Sequence, residues 1–255
     1  MTAVNYYVDS FFLFLYIIQY HYLQKKKLFV NKNISIILST YNEKLSIENT
    51  INEIIKYIKD VEIVVVDDNS PDGTLEIIKK IDYPKLKVIS RKKTKGLASA
   101  FLLGLINTSG DIIGWVDSNM GAVVKKFPEM LGNLDSADAV ILSRYVPGGG
   151  DERNKIRVIS SKMINSLSKF ILRSKINDLS SGIFVMKKDV LLDAVPIASG
   201  HGEFMVEFLY QIEKKGNKII EIPYIHPVDI EGNSKSFPNL RKFLLFGFFY
   251  IFRLF

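Results

Sequence analysis

Four apolar runs in this chain each end in polar groups able to do chemistry. Ile63-Val64-Val65-Val66 stops at Asp67-Asp68, and Asn69-Ser70-Pro71-Asp72-Gly73-Thr74 follows. Ile34 to Leu38 ends at Ser39-Thr40-Tyr41-Asn42-Glu43, Ile112 to Val116 at Asp117-Ser118-Asn119, and Ala139 to Leu142 at Ser143-Arg144-Tyr145. In open α/β sheets ligands bind beyond the carboxyl ends of the strands, so this spacing puts carboxylates, hydroxyls and a guanidinium where a polar ligand would sit. A capped strand–turn–helix corner with no ligand would use the same residues at Asp67-Asp68, and both readings stay open.

Composition narrows the chemistry. The chain has no cysteine, which excludes disulfides, thiolate metal sites and cysteine nucleophiles. Its histidines, His21, His201 and His226, are far apart and make no metal-ligand spacing. A net charge of +7 on 255 residues suits phosphate-bearing substrates, anionic lipid or nucleic acid. No nucleic-acid-binding motif or aromatic-interleaved basic helix is present, so lipid and phosphate rank above nucleic acid.

The elements that must position these groups alternate. β-Branched runs read as strands buried on both faces. Between them, Ile47, Ile51, Ile54, Ile55 and Ile58 fall at helical spacing after Ser46, and Leu97, Phe101 and Leu105 mark another helix. Strands are expected again at 86–90, 183–186 and 218–222, and helices at 74–81, 155–173 and 203–215. The alternation predicts an α/β fold with a mostly parallel sheet flanked by helices. Pro147-Gly148-Gly149-Gly150 reads as a flexible lid or linker. On the 155–173 helix, Ile156, Ile159, Met163, Ile164, Leu167, Phe170 and Ile171 form an apolar stripe, read as core or membrane-facing packing.

Both ends are apolar. Residues 4–23 are rich in Tyr, Phe, Leu and Ile and precede Lys25-Lys26-Lys27, while 243–255 is almost wholly apolar but short for a span. The expected organisation is a membrane-associated amphipathic segment over 1–30, an α/β domain over 31–235, and an apolar anchor or interface helix over 236–255. The lysine run would then sit on the cytoplasmic face of the membrane, and a soluble amphipathic helix packed on the domain is an equal reading of residues 4–23.

Ser39-Thr40-Tyr41-Asn42-Glu43 and Asp67-Asp68-Asn69-Ser70-Pro71-Asp72-Gly73-Thr74 resemble the first- and second-strand motifs of family-two glycosyltransferases. Lys95-Gly96-Leu97-Ala98-Ser99-Ala100, Ser109-Gly110-Asp111, Ser143-Arg144-Tyr145 with Gly148-Gly149, Arg157-x-x-x-Ser161, Asp178-Leu179-Ser180-Ser181-Gly182 and Gly232-Asn233-Ser234-Lys235 follow in the same order. The ordered set is similar to the dolichol-phosphate mannose synthase branch of polyprenyl-phosphate glycosyltransferases, over roughly Ile34 to Lys235.

The resemblance implies a GT-A (Rossmann-like) fold, a nucleotide-sugar donor, Mg²⁺ or Mn²⁺, and a polyprenyl (dolichyl) phosphate acceptor. By position, Ser39, Tyr41, Glu43, Asp67, Asp68 and Lys95 would bind the nucleotide sugar. Asp117 and Asn119 would hold the metal, and Arg144, Arg157, Ser161 and Lys235 the acceptor phosphate, with Asp117, Arg144 and Arg157 catalytic. GDP-mannose is the donor implied first. The alternatives are a UDP-sugar transferase with another acceptor, or a degenerate, non-catalytic subunit binding nucleotide or lipid. A homo-oligomer or a membrane-subunit partner fits the apolar tail. The chain departs from the family where Asn119 replaces the second acid of Asp-x-Asp, which should lower metal affinity. It departs again at Ser39, usually Pro, at Gly121, often Gln, and at Phe184 and Asp229, where Arg is usual.

Overall fold

The computed structural model describes residues 32–92, 96–194 and 204–228. The chain divides into units 1–32 and 33–255, and the elements below all belong to the second. The expected terminal segments 1–30 and 236–255 lie outside the described residues, as do Lys95 and Lys235. Among the described residues no helix is long and apolar enough to cross a membrane.

The elements run β1 (Ile34–Thr40), α1 (Ile47–Tyr57), β2 (Glu62–Asp67), α2 (Thr74–Ile78), β3 (Leu86–Ser90), α3 (Leu97–Ile106) and β4 (Ile112–Trp115). A 3-10 turn (Gly121–Lys126) enters α4 (Phe127–Asn133), then come β5 (Ala139–Ser143), β6 (Gly150–Asp151), α5 (Lys155–Leu172), β7 (Phe184–Lys187), α6 (Lys188–Asp193), α7 (Phe204–Lys214), β8 (Ile219–Pro223) and β9 (Ile225–His226). The main sheet is seven-stranded, in the order β3-β2-β1-β4-β7-β5-β8. All its pairings are parallel except those of β7, which runs antiparallel to both β4 and β5. β6 and β9 form a small parallel sheet of their own.

Period-two alternation sorts the strand side chains into two cores. Ile36, Leu38, Ile63, Val65, Val140 and Leu142 pack under α1 and α4 against Ile47, Ile51, Ile54, Phe127 and Met130. Ile37, Ile113, Trp115, Ile141, Phe184 and Met186 face α3 and α7. There the Phe101 ring lies 5.0 Å from Trp115 and 5.9 Å from both Phe184 and Phe208. Such aromatic contacts add about 0.5–1.5 kcal/mol each beyond area burial. Phe184 is therefore a core residue, where a charged side chain would have no partner.

The sequence reading missed the stretch 121–133, where Gly121, Pro128 and Gly132 interrupt the helical pattern. The structure uses these interruptions to turn a 3-10 segment into α4, burying Val123, Val124, Phe127 and Met130. The 147–150 stretch is not an open loop. Gly149 N–H donates to Val146 O at 2.9 Å and Gly150 N–H to Tyr224 O at 3.0 Å. A Cβ on Gly149 would stand 2.7 Å from the carbonyl oxygens of both Ser143 and Arg144, so only glycine lets the chain pass so close.

α5 inverts the usual amphipathic arrangement. Its buried residues are Asn165 and Ser168, while Phe170 is 81% and Ile156 74% exposed, with Ile159, Met163 and Leu167 exposed beside them. Asn165 explains the inward polarity: its Nδ2 donates to Asn177 O at 2.5 Å and its Oδ1 accepts from Leu179 N–H at 2.8 Å.

At the amino-terminal edge of the strands, the Glu62 carboxylate accepts from Lys87 Nζ at 2.6 Å, from Ser109 N–H at 2.7 Å and from the Ser35 hydroxyl. Burial works to raise this carboxyl, but the Lys87, Ser35 and Ser109 hydrogen bonds outweigh it and hold it at about 2, against an ordinary 4.5. Because the folded value is depressed, the stabilisation is full above pH 4.5 and is lost as pH falls towards 2. Glu62→Gln should lower stability by about 1.5–3 kcal/mol at pH 7, the range for charge-assisted hydrogen bonds. In urea unfolding the gap to the parent should narrow on acidification. A gap that stays constant with pH would assign Glu62 a packing role instead.

Candidate active site

The carboxyl ends of β1 and β2 are clipped together by side chains of the following turns. Asp67 and Thr40 are register partners, and Asp68 N–H donates to Thr40 O at 3.0 Å. Asp67 accepts from Ser70 N–H at 3.0 Å and Ser70 Oγ at 2.5 Å. Ser70 Oγ in turn accepts from Asn42 N–H at 3.0 Å, and Thr74 Oγ1 from Glu43 N–H at 2.9 Å. Asp72 holds Thr74 through its N–H at 3.0 Å and its hydroxyl at 2.6 Å. Burial would raise the Asp72 carboxyl, yet the bonds from Thr74 and from Lys44 N–H lower it, so it stays ionised as the clip. Asn42 and Asn69 both adopt positive φ (57° and 58°), a conformation that asparagine tolerates.

The Asp67 side chain is fully buried and serves the turn through Ser70. Asp68 is also largely buried, at 8% exposure, ion-paired with Arg91 Nε and accepting from Gly96 N–H at 2.9 Å. Arg91 also donates to Ser99 Oγ and Gly96 O, both at 2.8 Å, which pins the start of α3 to the end of β3. The sequence reading missed Arg91, although it directly follows β3 and so obeys the same strand-end rule. Ser39 is half-buried, Glu43 is buried and accepts from Ser46 Oγ at 3.0 Å, and Tyr41 is exposed.

Asp117 follows β4, and no described residue donates a hydrogen bond to its side chain. The Ser181-Gly182 turn passes beside it, such that a Cβ on Gly182 would lie 3.6 Å from Asp117 Oδ2. Burial, and then the Glu43 carboxylate, push the Asp117 carboxyl up to about 6, while Arg153 pulls it down. A half-buried carboxylate without a donor is a group that a cation would satisfy. Asn119, two residues on, carries a neutral amide in place of a carboxylate. Among the described residues no cluster of three Asp, Glu, His or Cys could hold a metal unaided. The donor set therefore fits a hard cation that keeps most of its coordination for phosphate oxygens and water, as Mg²⁺ does.

Arg144, after β5, is committed elsewhere. Its Nε donates to Asp178 Oδ2 at 2.8 Å and its Nη2 to Asp178 Oδ1 at 2.7 Å, and its own N–H also reaches Oδ2 at 3.0 Å. Nη2 reaches Ser180 Oγ at 2.7 Å and Nη1 reaches Ser161 Oγ at 3.1 Å. Ser161 Oγ accepts as well from Tyr145 Oη at 3.0 Å. Arg144 is 7% exposed and Asp178 0%. Burial alone would lower the arginine's pKa, but Asp178 raises it further, so the charge is fixed. Arg144 is thus a strut that joins the end of β5 to the Asp178 turn and to α5, where half-buried Ser161 takes its Nη1.

β6 carries Asp151, whose carboxylate clasps Arg153 at 2.8 Å (Nε to Oδ1) and 2.6 Å (Nη2 to Oδ2). Asp151 Oδ2 also lies 3.8 Å from Arg144 Nη1. Arg157 sits half-buried in the first turn of α5, its pKa lowered by burial and by Arg153. Arg153 and Tyr224 were not among the expected site residues. Arg153 follows a glycine run with no strand pattern to mark it, and Tyr224 follows β8, where Pro223 obscured the strand end. The structure thus brings Asp117, Glu43, Arg144, Ser161, Arg157 and Asp68 to one sheet edge.

The chain matches the family model described as "Glycosyl transferase family 2" over residues 35–193. It is 33% identical over 211 residues to a dolichol-phosphate mannosyltransferase of Pyrococcus furiosus, covering 79% of this chain and 58% of that one. The match thus spans little more than half the length of that relative. It is 29% identical to the polyprenol monophosphomannose synthase of Mycolicibacterium smegmatis, covering 81% of this chain and 82% of that one. The structure is similar to glucosyl-3-phosphoglycerate synthase from Mycobacterium tuberculosis, crystallised with Mn²⁺, UDP and phosphoglyceric acid, at TM-score 0.67 and 19% identity, covering 88% of this chain and 78% of that one. At that identity the likeness speaks for the fold, which is GT-A.

Asp178→Asn tests the strut. Breaking a buried ion pair by removing one partner typically costs about 3–5 kcal/mol, so the variant should melt well below the parent. Unchanged melting together with lost activity would instead return Arg144 to the role of phosphate ligand.

Proposed function

The chain belongs to glycosyl transferase family 2, and from that premise we propose that it transfers a hexose from a nucleotide sugar to a polyprenyl phosphate. The observation that carries this reading is the juxtaposition at one sheet edge of the donor-less Asp117 carboxylate with Arg153, which follows β6, and Arg157 of α5. An acid on one side and guanidiniums on the other suit a reaction that joins two phosphate-bearing partners. The relatives named as mannosyltransferases of dolichol or polyprenol phosphate supply the substrate class, and mannose from GDP-mannose is the first donor to test.

The chemistry needs no general base. A phosphate monoester has its second pKa near about 6 and is largely dianionic at neutral pH. Its oxygen can displace the nucleoside diphosphate at the anomeric carbon directly: the new C–O bond forms as the bond to the diphosphate breaks, and the configuration inverts. The residues must hold two anions in line, which oriented guanidiniums do through paired N–H donors. Asp117, with the Asn119 amide, would hold Mg²⁺ or Mn²⁺, which when bound neutralises charge on the leaving diphosphate. Asp68 and Glu43, on the β1–β2 shelf, would meet the nucleoside.

A lipid acceptor also accounts for α5. Its outer face is apolar and exposed, its inner face carries Arg157 and Ser161, and Lys155, Lys162, Lys169 and Arg173 accompany the stripe with no acidic residue in the helix. We assign this face to an anionic bilayer surface, the cytoplasmic leaflet being the matching charge. A second reading, a non-catalytic partner subunit, is favoured by Asn119 with Gly121.

Incubating the protein with GDP-mannose or UDP-glucose and a polyprenyl phosphate, then extracting lipid, should give a glycosyl-phosphoryl lipid with inverted configuration. Absence of product with every sugar donor, from protein that binds nucleotide, would favour the partner-subunit reading. Asn119→Asp should tighten Mn²⁺-dependent nucleotide binding several-fold in calorimetry. Unchanged binding would show that the amide suffices.

The paired change Ile159→Glu and Phe170→Glu should cut flotation with anionic liposomes at least fivefold while leaving melting unchanged. If melting falls instead, the face is covered by this chain's own apolar residues. If flotation persists and the protein changes oligomeric state, the face belongs to a second copy.

A further inference from the structure

Asp151 and Arg153 lie between the Arg144 strut and α5. Asp151 is nearly inaccessible, its side chain 2% exposed, and belongs to the small β6–β9 sheet opposite His226. Its carboxylate takes both Nε and Nη2 of Arg153, and its oxygen also takes the Arg153 backbone N–H at 3.2 Å. A bidentate clasp fixes the plane of a guanidinium and leaves the opposite edge pointing away. On that edge, Nη1 of Arg153 meets no acceptor among the described residues.

The surroundings of the open edge are suited to an anion. Arg153 comes directly before Asn154, whose Oδ1 caps the 18-residue α5 by accepting from Ile156 N–H at 2.9 Å. The first turn of α5 contains no acidic residue but does contain Arg157, so no carboxylate on the helix answers its positive end. His226, the cross-strand partner of Asp151, is pushed down to about 4 by burial and then by Arg153, so it is neutral and brings no competing charge. On the far side stands Asp117, whose carboxyl feels Arg153 as the main cation near it.

We propose that Arg153, clasped by Asp151 at the entrance to α5, is a phosphate-contacting residue of this site, with Arg144 supporting it from beneath. The inference rests on the glycosyl-transfer reading and names the group that meets the phosphate. Asp151 acts through Arg153 and is a positioning residue. The phosphate could be that of the lipid acceptor or of the departing nucleoside diphosphate, since both offer planar pairs of oxygens to a guanidinium edge.

Calorimetry on the full chain distinguishes these sources, with farnesyl phosphate as the acceptor probe and GDP and UDP as the nucleotide probes. Arg153→Gln should weaken farnesyl phosphate at least tenfold and leave nucleotide affinity within twofold. Arg153→Lys, which keeps the charge but not the fork, should recover part of the loss, and Asp151→Asn should fall between the two. In turnover assays the acceptor KM should rise far more than kcat falls. If the tenfold loss appears in GDP or UDP binding and not in farnesyl phosphate, the contact stands and the phosphate is the nucleotide's. If Arg153→Gln, or Arg153→Lys should the first not fold, melts like the parent and binds every probe as the parent does, Arg153 is only a structural ion pair. The inference is then overturned and the family reading is untouched. If the parent chain itself binds neither farnesyl phosphate nor nucleotide, the glycosyl-transfer reading fails, and this inference fails with it.

Discussion

The bidentate pair between Arg144 and Asp178 is the constraint on which the rest of the site depends. It joins the end of β5 to the turn before β7, and its further bonds reach α5 through Ser161. Asp178 and Asn177 are themselves fixed by backbone N–H bonds to Glu221 of β8, at 3.0 and 2.8 Å. Ser181 Oγ closes the same turn by donating to Leu142 O at 2.5 Å. Segments far apart in sequence thus meet at one buried, charged knot. Buried pairs are poor sources of net stability, but their strict geometry makes them good at fixing position. Here the position fixed is that of the Gly182 turn beside Asp117 and of Asp151 beneath Arg153.

The knot also explains why strand ends of one sheet edge present opposite charges. β4 ends at an acid that no donor answers, whereas β5 and β6 end among guanidiniums already held by carboxylates. The acid side is free to meet a cation, and the basic side is rigid enough to present one. The neutral His226 and the buried Tyr224, whose hydroxyl pKa burial raises, fill the wall between them without adding charge.

Much of this was legible in sequence. The β-branched runs and the isoleucine spacing of 47–58 set the alternation of strands and helices, because a fold of packed layers must bury them periodically. The polar strand ends marked the edge where the site lies. Direction and partnership were not legible. Nothing in Phe184–Lys187 says that it runs antiparallel between β4 and β5. Arg144 looks like any exposed strand-end arginine until Asp178, more than thirty residues later, is seen to enclose it. Asp67 and Asp68 are adjacent and chemically identical, yet the pleat turns one to Ser70 of its own turn and the other to Arg91 and Gly96. The Asn165 side chain reversed the polarity of α5, which periodicity alone could not reveal, since the stripe reads the same whether it faces core or surroundings.

The place of β7 in the sheet has a consequence for how the chain is made. β1 to β4 are neighbours in space, in the order β3-β2-β1-β4, and all precede residue 116. The strand that covers the free side of β4 arrives only at Phe184–Lys187. Domains begin to fold from the amino terminus during synthesis, and an unpaired strand edge is a template for association with other chains. The side of β4 turned away from β1 therefore has no partner within the chain until residues 184–187 have been made. The sheet cannot be closed across its middle by its amino-terminal half alone, and every strand beyond β4 reaches it through β7.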